Sequence, residues 1–296
     1  MPERQFNVHR RLRAGLLAAA LAATAAAHAE SAADRFAGIE VEARQVRDNV
    51  YMLTGAGGNI GVSVGADGTL IIDDQFAPLA DRITAALAGI DGDAPKLVLN
   101  THFHGDHTGS NPIFGEVATI VAHDNVRARL ALQQDFPARG LPVLTYAEAV
   151  TVHFNGDTLE VIHLPAGHTD GDSVVWFRGA NVLHTGDLLF KDRFPFIDQS
   201  SGGSVPGVIV NLTRLVEMLP EDVAIIPGHG PLAGRADLEA TLGMIRATRA
   251  EVLEALGRGR SVDEIVADGL DPQWASWGSG FINEERWIRT LAASGP

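Results

Sequence analysis

Thr101-His102-Phe103-His104-Gly105-Asp106-His107 is the stretch on which the reading of this chain turns. Three histidines and an aspartate fall within six residues, directly after the continuous run Lys96-Leu97-Val98-Leu99-Asn100. Such a run suits a strand buried on both faces, and ligand sites gather at the ends of such strands. On an extended backbone alternate side chains share a face, so His102 and His104 point the same way and can share one metal ion. Gly105 permits a sharp turn, which lets Asp106 and His107 face a second ion. A merely polar loop is a poor alternative, because crowded imidazoles repel once protonated and are costly to desolvate.

Two ions need more ligands than one cluster supplies. Further candidates recur in short glycine-flanked loops: Gly167-His168-Thr169, His184-Thr185-Gly186-Asp187 and Pro227-Gly228-His229-Gly230. Glycine lets the backbone approach a metal and leaves the imidazole free to turn. The chain has no cysteine. Thiolate ligands, cysteine nucleophiles and disulfides are therefore excluded, and metal chemistry must rest on His, Asp and Glu.

The order His-x-His-x-Asp-His, Gly-His-Thr, Gly-Asp, Gly-His-Gly resembles the metallo-β-lactamase superfamily, over about residues 46–232. The resemblance implies an α/β (α+β) fold, a four-layer αββα sandwich in a single domain, with the site along one edge of the paired sheets. It assigns His102, His104 and His168 to a first metal and Asp106, His107 and His229 to a second, with Asp187 bridging both. Two Zn2+ ions are the expected cofactors, with Fe or Mn as alternatives. Such a pair generates a bound hydroxide near neutral pH, which would attack a carbonyl. Asp106 is the candidate catalytic residue, orienting that nucleophile or carrying its proton. The implied substrate is a small ester, lactone, thioester or lactam. Dedicated β-lactamases of the family generally lack the bridging aspartate, so Asp187 points toward the glyoxalase II-like, lactonase and broad hydrolase branches. A true metallo-β-lactamase and a non-catalytic periplasmic metal-binding or redox-partner protein are the alternatives.

Around these motifs the pattern is mixed. Val50–Leu53, Ile60–Val64 and Thr69–Ile72 read as an antiparallel meander, and Pro78–Ile90 as a helix with Leu79, Ile83, Ala86, Leu87 and Ile90 on one face. A helix is expected around His123–Gln134. Further strands are expected at Val150–Phe154, Thr158–Leu164, Ser173–Phe177, Asn181–His184 and Val223–Ile226. Helices are expected at Gly207–Met218, Ala236–Leu256, Val262–Asp268 and Glu284–Ala292. Asp73 resembles the superfamily's acid behind the histidine cluster, and Asp172 is a candidate partner for His168, each against the alternative of a turn carboxylate. Thr101, Thr169 and Thr185 are weaker candidates. His123, His153, His163 and His184 read as core or surface histidines. Lys191 and Arg193 read as an exposed basic pair, or as a receiver for a substrate carboxylate. The loop Asp198–Pro206 is placed to line the pocket. Trp274, Trp277 and Phe281 are either a substrate wall or packing of the terminal helices.

Arg10, Arg11 and Arg13 precede an apolar run, Ala14–Ala27, that ends in Ala27-His28-Ala29. That is the layout of a secretory signal peptide; an uncleaved anchor is the alternative, though the run is shorter than the roughly 20 residues a spanning helix needs. The expected division is therefore a signal peptide at 1–29 and one domain at 30–296, with terminal helices from 233. A periplasmic or secreted location and no stable membrane insertion after cleavage follow. The net charge of -14 argues against a nucleic-acid partner, which leaves a small-molecule substrate.

Overall fold

The computed structural model describes residues 35–295, so the expected signal peptide at 1–29 lies outside the described residues. The chain divides after Glu40 into two units. Of the first, only residues 35–40 are described. The second, from Val41, carries every strand among the described residues.

The first sheet opens with the antiparallel ribbon β1 (Glu42–Arg47), β2 (Val50–Thr54), β3 (Ile60–Gly65) and β4 (Gly68–Ile72). Helix α1 (Ala80–Ala88) crosses over to β5 (Pro95–Asn100), which pairs parallel with β4. Two single-turn helices, α2 (Gly105–Thr108) and α3 (Asn111–Phe114), precede β6 (Thr119–His123). Helix α4 (Asp124–Leu132) leads to β7 (Leu144–Tyr146), and β5, β6 and β7 continue the sheet in parallel.

The second sheet runs antiparallel through β8 (Ala149–Phe154), β9 (Asp157–His163), β10 (Ser173–Phe177) and β11 (Val182–His184). Helix α5 (Val205–Met218) returns the chain to β12 (Ala224–Ile226), parallel to β11, and β13 (Ala233–Gly234) closes the edge. Helices α6 (Arg235–Gly257), α7 (Val262–Asp268) and α8 (Glu284–Ala293) complete the chain.

Alternation of side chains decides the layers. Leu70, Ile72, Leu99 and Val121 of the first sheet meet Leu159, Val161, Val175, Phe177 and Ile226 of the second in one inter-sheet core. The other face of the second sheet, through Val174, Trp176, Leu183 and Ile225, is covered by Leu212 and Leu215 of α5, Leu242 and Ile245 of α6, and Trp287 and Leu291 of α8. On the outer face of the first sheet, Val126 and Leu130 of α4 pack with Ala122. The result is the expected αββα order.

Two features differ from the sequence expectation. His123 ends β6 rather than beginning the helix, and its Nδ1 accepts from the Asn125 backbone N–H as the cap of α4. The parallel strands β6 and β7 were not anticipated; they are short, and β7 has only three residues. Among the described residues no helix is long and apolar enough to cross a membrane.

Trp287 is wholly buried, stacks on Phe194 at 5.6 Å, and its indole N–H donates to Thr248. Trp287→Ala leaves a cavity and takes away the donor that the Thr248 hydroxyl accepts from, so a loss of about 3–5 kcal/mol is expected from urea unfolding.

Candidate metal centre

The site lies where strand ends converge. Asp73 follows β4, the histidine cluster follows β5, Asp187 follows β11 and His229 follows β12. The β4, β5 and β11, β12 pairs are parallel, so their carboxyl ends open on one edge of the sandwich. Thr101 stitches the sheets together there, its carbonyl accepting from the Ser173 N–H at 2.8 Å.

All seven residues singled out in the sequence come together, in two groups. His102, His104, His168 and Asp187 form one; Asp106, His107 and His229 form the other. Asp187 stands between them. Its Oδ2 lies 3.8 Å from His102 Nε2 and 3.5 Å from His168 Nε2. Its Oδ1 lies 3.1 Å from His107 Nε2 and 3.4 Å from His229 Nε2. Asp106 Oδ2 reaches His229 Nε2 at 3.2 Å.

The hydrogen bonds of the outer ring fix where the imidazole protons sit. A carboxylate or carbonyl only accepts, so its histidine partner must donate. His107 Nδ1–H donates to Asp73 Oδ2 at 2.7 Å, which turns Nε2 toward Asp187. Thr101 Oγ1–H donates to the same Asp73 oxygen at 2.7 Å, so that hydroxyl accepts from His102 Nδ1–H at 3.1 Å. His168 Nδ1–H donates to the Phe196 carbonyl at 2.7 Å. His104 is turned the other way: Nε2–H donates to Asp198 Oδ2 at 3.1 Å and Nδ1 faces inward.

Three bare ring nitrogens thus converge. His104 Nδ1 lies 3.1 Å from His102 Nε2 and 2.8 Å from His168 Nε2. With no proton between them these lone pairs repel, unless a cation occupies the space they enclose. Tetrahedral zinc with Zn–N bonds of about 2.0–2.1 Å places its ligand atoms about 3.3 Å apart, which matches the spacing. Buried His107 Nε2 and Asp187 Oδ1 face each other at 3.1 Å, and neither has a hydrogen bond to any other group. The donor set therefore fits a pair of divalent ions, one per group.

Electrostatics divides the two groups. Burial pushes His102 well below the usual histidine range, and pushes His168 down to about 4. Both stay neutral and ready to ligate. Burial also works against charge on His107 and His229. There the carboxylates outweigh it, led by Asp187, raising His107 and bringing His229 up to about 9. The second group holds protons that a metal must displace.

Glycine leaves the room this packing needs. A side chain at Gly58 would run into the His107 ring, and one at Gly228 into the Asp187 carboxylate. Asp73 itself sits at φ 63°, a conformation aspartate tolerates better than most residues.

Several expectations are revised. Asp172 does not orient the His168 imidazole. It accepts from the backbone N–H groups of His168 and Thr169 and from the Thr169 hydroxyl, so it shapes the loop, while the Phe196 carbonyl orients the ring. Burial raises the Asp172 carboxyl to about 7 against those donors. Lys191 is not part of an exposed pair: its ammonium pairs with Asp237 at 3.2 Å and donates to the Leu232 carbonyl. Thr185 donates to the Gly186 carbonyl and touches no ligand ring. His184 is fully buried and braces the loops, with Nε2–H donating to the Asn59 carbonyl and Nδ1 accepting from the Gly186 N–H. His123 and His163 stack at 3.7 Å away from both groups, and His153 is exposed.

Asp198 and Phe196 were not identified from sequence as partners of the ligands. Burial disfavours charge on Asp198, but hydrogen bonds from Ser200, Ser201 and His104 outweigh it and hold its carboxyl below the usual range. Its presence in a loop expected to line the pocket was the only signal.

Asp187→Ala should lower the retention of both metals in elemental analysis, whereas His163→Ala should leave the metal content unchanged. Asp73→Asn removes the acceptor that fixes one histidine in each group, so metal affinity should fall about 10–100-fold at both sites in chelator competition. Asp198→Ala should weaken only the His102, His104, His168 site, by a similar factor.

The comparisons agree with this geometry. The family model of the metallo-beta-lactamase superfamily matches residues 53–229. A metallo-beta-lactamase type 2 of Bacteroides fragilis is 24% identical over 212 residues, covering 68% of this chain and 84% of that protein. An acyl-coenzyme A thioesterase of Gallus gallus is 27% identical over 206 residues, covering 60% of this chain and 73% of that one. A hydroxyacylglutathione hydrolase of Polaromonas is 30% identical over 155 residues, covering 51% and 55%. Among solved structures, a metallo-beta-lactamase from Pontibacter korlensis superposes with a TM-score of 0.60 at 20% identity, over 70% of this chain and 99% of its own. Site order, layer order and family match coincide, and the chain belongs to the metallo-beta-lactamase superfamily.

Proposed function

We propose that this chain is an exported dinuclear-zinc hydrolase that opens a small ester, lactone, thioester or lactam. The observation that carries the reading is the placement of Asp187, which turns one oxygen to each ligand group. Two divalent ions, when bound, supply Lewis acidity for a carbonyl and lower the pKa of water to near neutrality.

The chain's own residues supply the remainder. His102, His107 and His168 are almost wholly buried, whereas the side chains of His104, Asp106 and His229 are 18%, 26% and 23% exposed. A substrate therefore approaches past those three. Burial raises the Asp106 carboxyl, but His107 and His229 outweigh it and keep it ionised. At this open edge it can accept a proton from the attacking water and return it to the leaving group. Phe190, stacked on His229 at 5.1 Å, covers one face of that imidazole. No serine or cysteine nucleophile is called for.

Among the four substrate classes, the relative named as an acyl-coenzyme A thioesterase supports including thioesters. Export rests on the arginines and apolar run before Ala29. The relative named as a metallo-beta-lactamase supports a second reading, a true β-lactamase; turnover of a penicillin and a carbapenem at rates matching the best ester would favour it over the first.

Purified protein should carry up to two transition-metal ions per chain and hydrolyse members of an ester, lactone, thioester and lactam panel. Dipicolinate should abolish that activity, and zinc should restore it. Metal-free protein with undiminished turnover would overturn the reading.

A further inference from the structure

Phe281 exposes 71% of its surface, an unusual position for a phenylalanine in a protein whose other aromatic side chains nearly all pack. It is not isolated. Its ring meets Phe196 edge-on at 5.9 Å, and Phe196 in turn stacks on His104 at 5.9 Å and contacts His168 at 5.6 Å. Two ring-to-ring steps thus lead from solvent to the imidazoles of the first ligand group. His104, beside Phe196, keeps 18% of its side chain exposed.

The segment carrying Phe281 is held in place. The Phe194 N–H donates to the Trp277 carbonyl at 2.8 Å, and Phe194 stacks on buried Trp287. Trp274 and Trp277 are packing residues, set against the helical core, with the Trp274 indole N–H bonded to Glu251. Of the three aromatics, Phe281 is left facing solvent, with Arg286 over its ring at 4.5 Å and bonded to its carbonyl.

We infer that Phe196 and Phe281 form the acyl-side wall of the substrate site, so that the hydrolase prefers substrates whose carbonyl carries an apolar chain or ring. This rests on the hydrolase reading. A carbonyl presented beside His104 and His168 leaves its substituent only a short reach from Phe196, and a longer substituent continues onto Phe281. Contact with that wall removes apolar surface from water on both partners, worth roughly two- to fourfold in affinity per added methylene.

The test is a p-nitrophenyl ester series from acetate to octanoate, with calorimetric binding of acetate and octanoate to zinc-loaded protein. Wild type should show kcat/KM rising with chain length. Phe281→Ala should lose about tenfold on the octanoyl ester with acetate turnover unchanged, and Phe281→Leu should recover most of the loss. Octanoate should bind more tightly than acetate only when residue 281 is large and apolar. Turnover with no chain-length dependence, or an equal loss on both esters, would overturn the wall and leave the hydrolase standing. Selective octanoate binding without hydrolysis of any member of the ester, lactone, thioester and lactam panel would retain the wall and remove the hydrolase. Neither turnover nor selective binding would remove both.

Discussion

A carboxylate with two oxygens, buried between two groups of imidazoles, is the constraint that organises this molecule. Asp187 is 7% exposed and has ring nitrogens facing each of its oxygens. Burying that many polar groups without a compensating cation is unfavourable. The surrounding fold is arranged to hold them at fixed separations nonetheless. Parallel strand ends deliver the loops, glycine at 58 leaves space for the His107 ring and glycine at 228 for the Asp187 carboxylate, and the outer ring nitrogens of His102, His104, His107 and His168 each donate to a threonine, carboxylate or carbonyl oxygen.

The two ligand groups differ in character because their surroundings differ. The first contains one carboxylate among three imidazoles and lies against Phe196. Desolvation wins at His102 and His168, which stay neutral. The second has Asp106 as well as the near oxygen of Asp187, and coulombic attraction wins over desolvation. One edge of one sandwich therefore holds two ligand groups whose imidazoles answer to different forces, burial in the first and the carboxylates in the second.

Much of this was legible in the chain. The ligands announce themselves because each sits in a short loop with glycine beside it, and because three histidines in six residues have few structural uses. Buried strands such as β5 were equally plain, being continuous apolar runs. The partners of the ligands were harder. Phe196 orients His168 through a backbone carbonyl, which any residue possesses, so its identity carries no signal. Asp198 meets His104 across 94 positions of sequence. Asp172 had the right type and proximity, yet its acceptors were taken by backbone N–H groups of its own loop, a choice that depends on local turn geometry. Strand β7 has three residues and exists because β6 offers it an edge, a tertiary cause with no local signature.

Asp73 reaches His107 directly and His102 through the Thr101 hydroxyl, both by the same oxygen. The two halves of the centre therefore share a single tuning point. A change there cannot adjust one ion's ligands and spare the other's, so the pair can drift only in concert. Independent adjustment falls to the partners that serve one ring each, Asp198 at His104 and the Phe196 carbonyl at His168, and both belong to the first half.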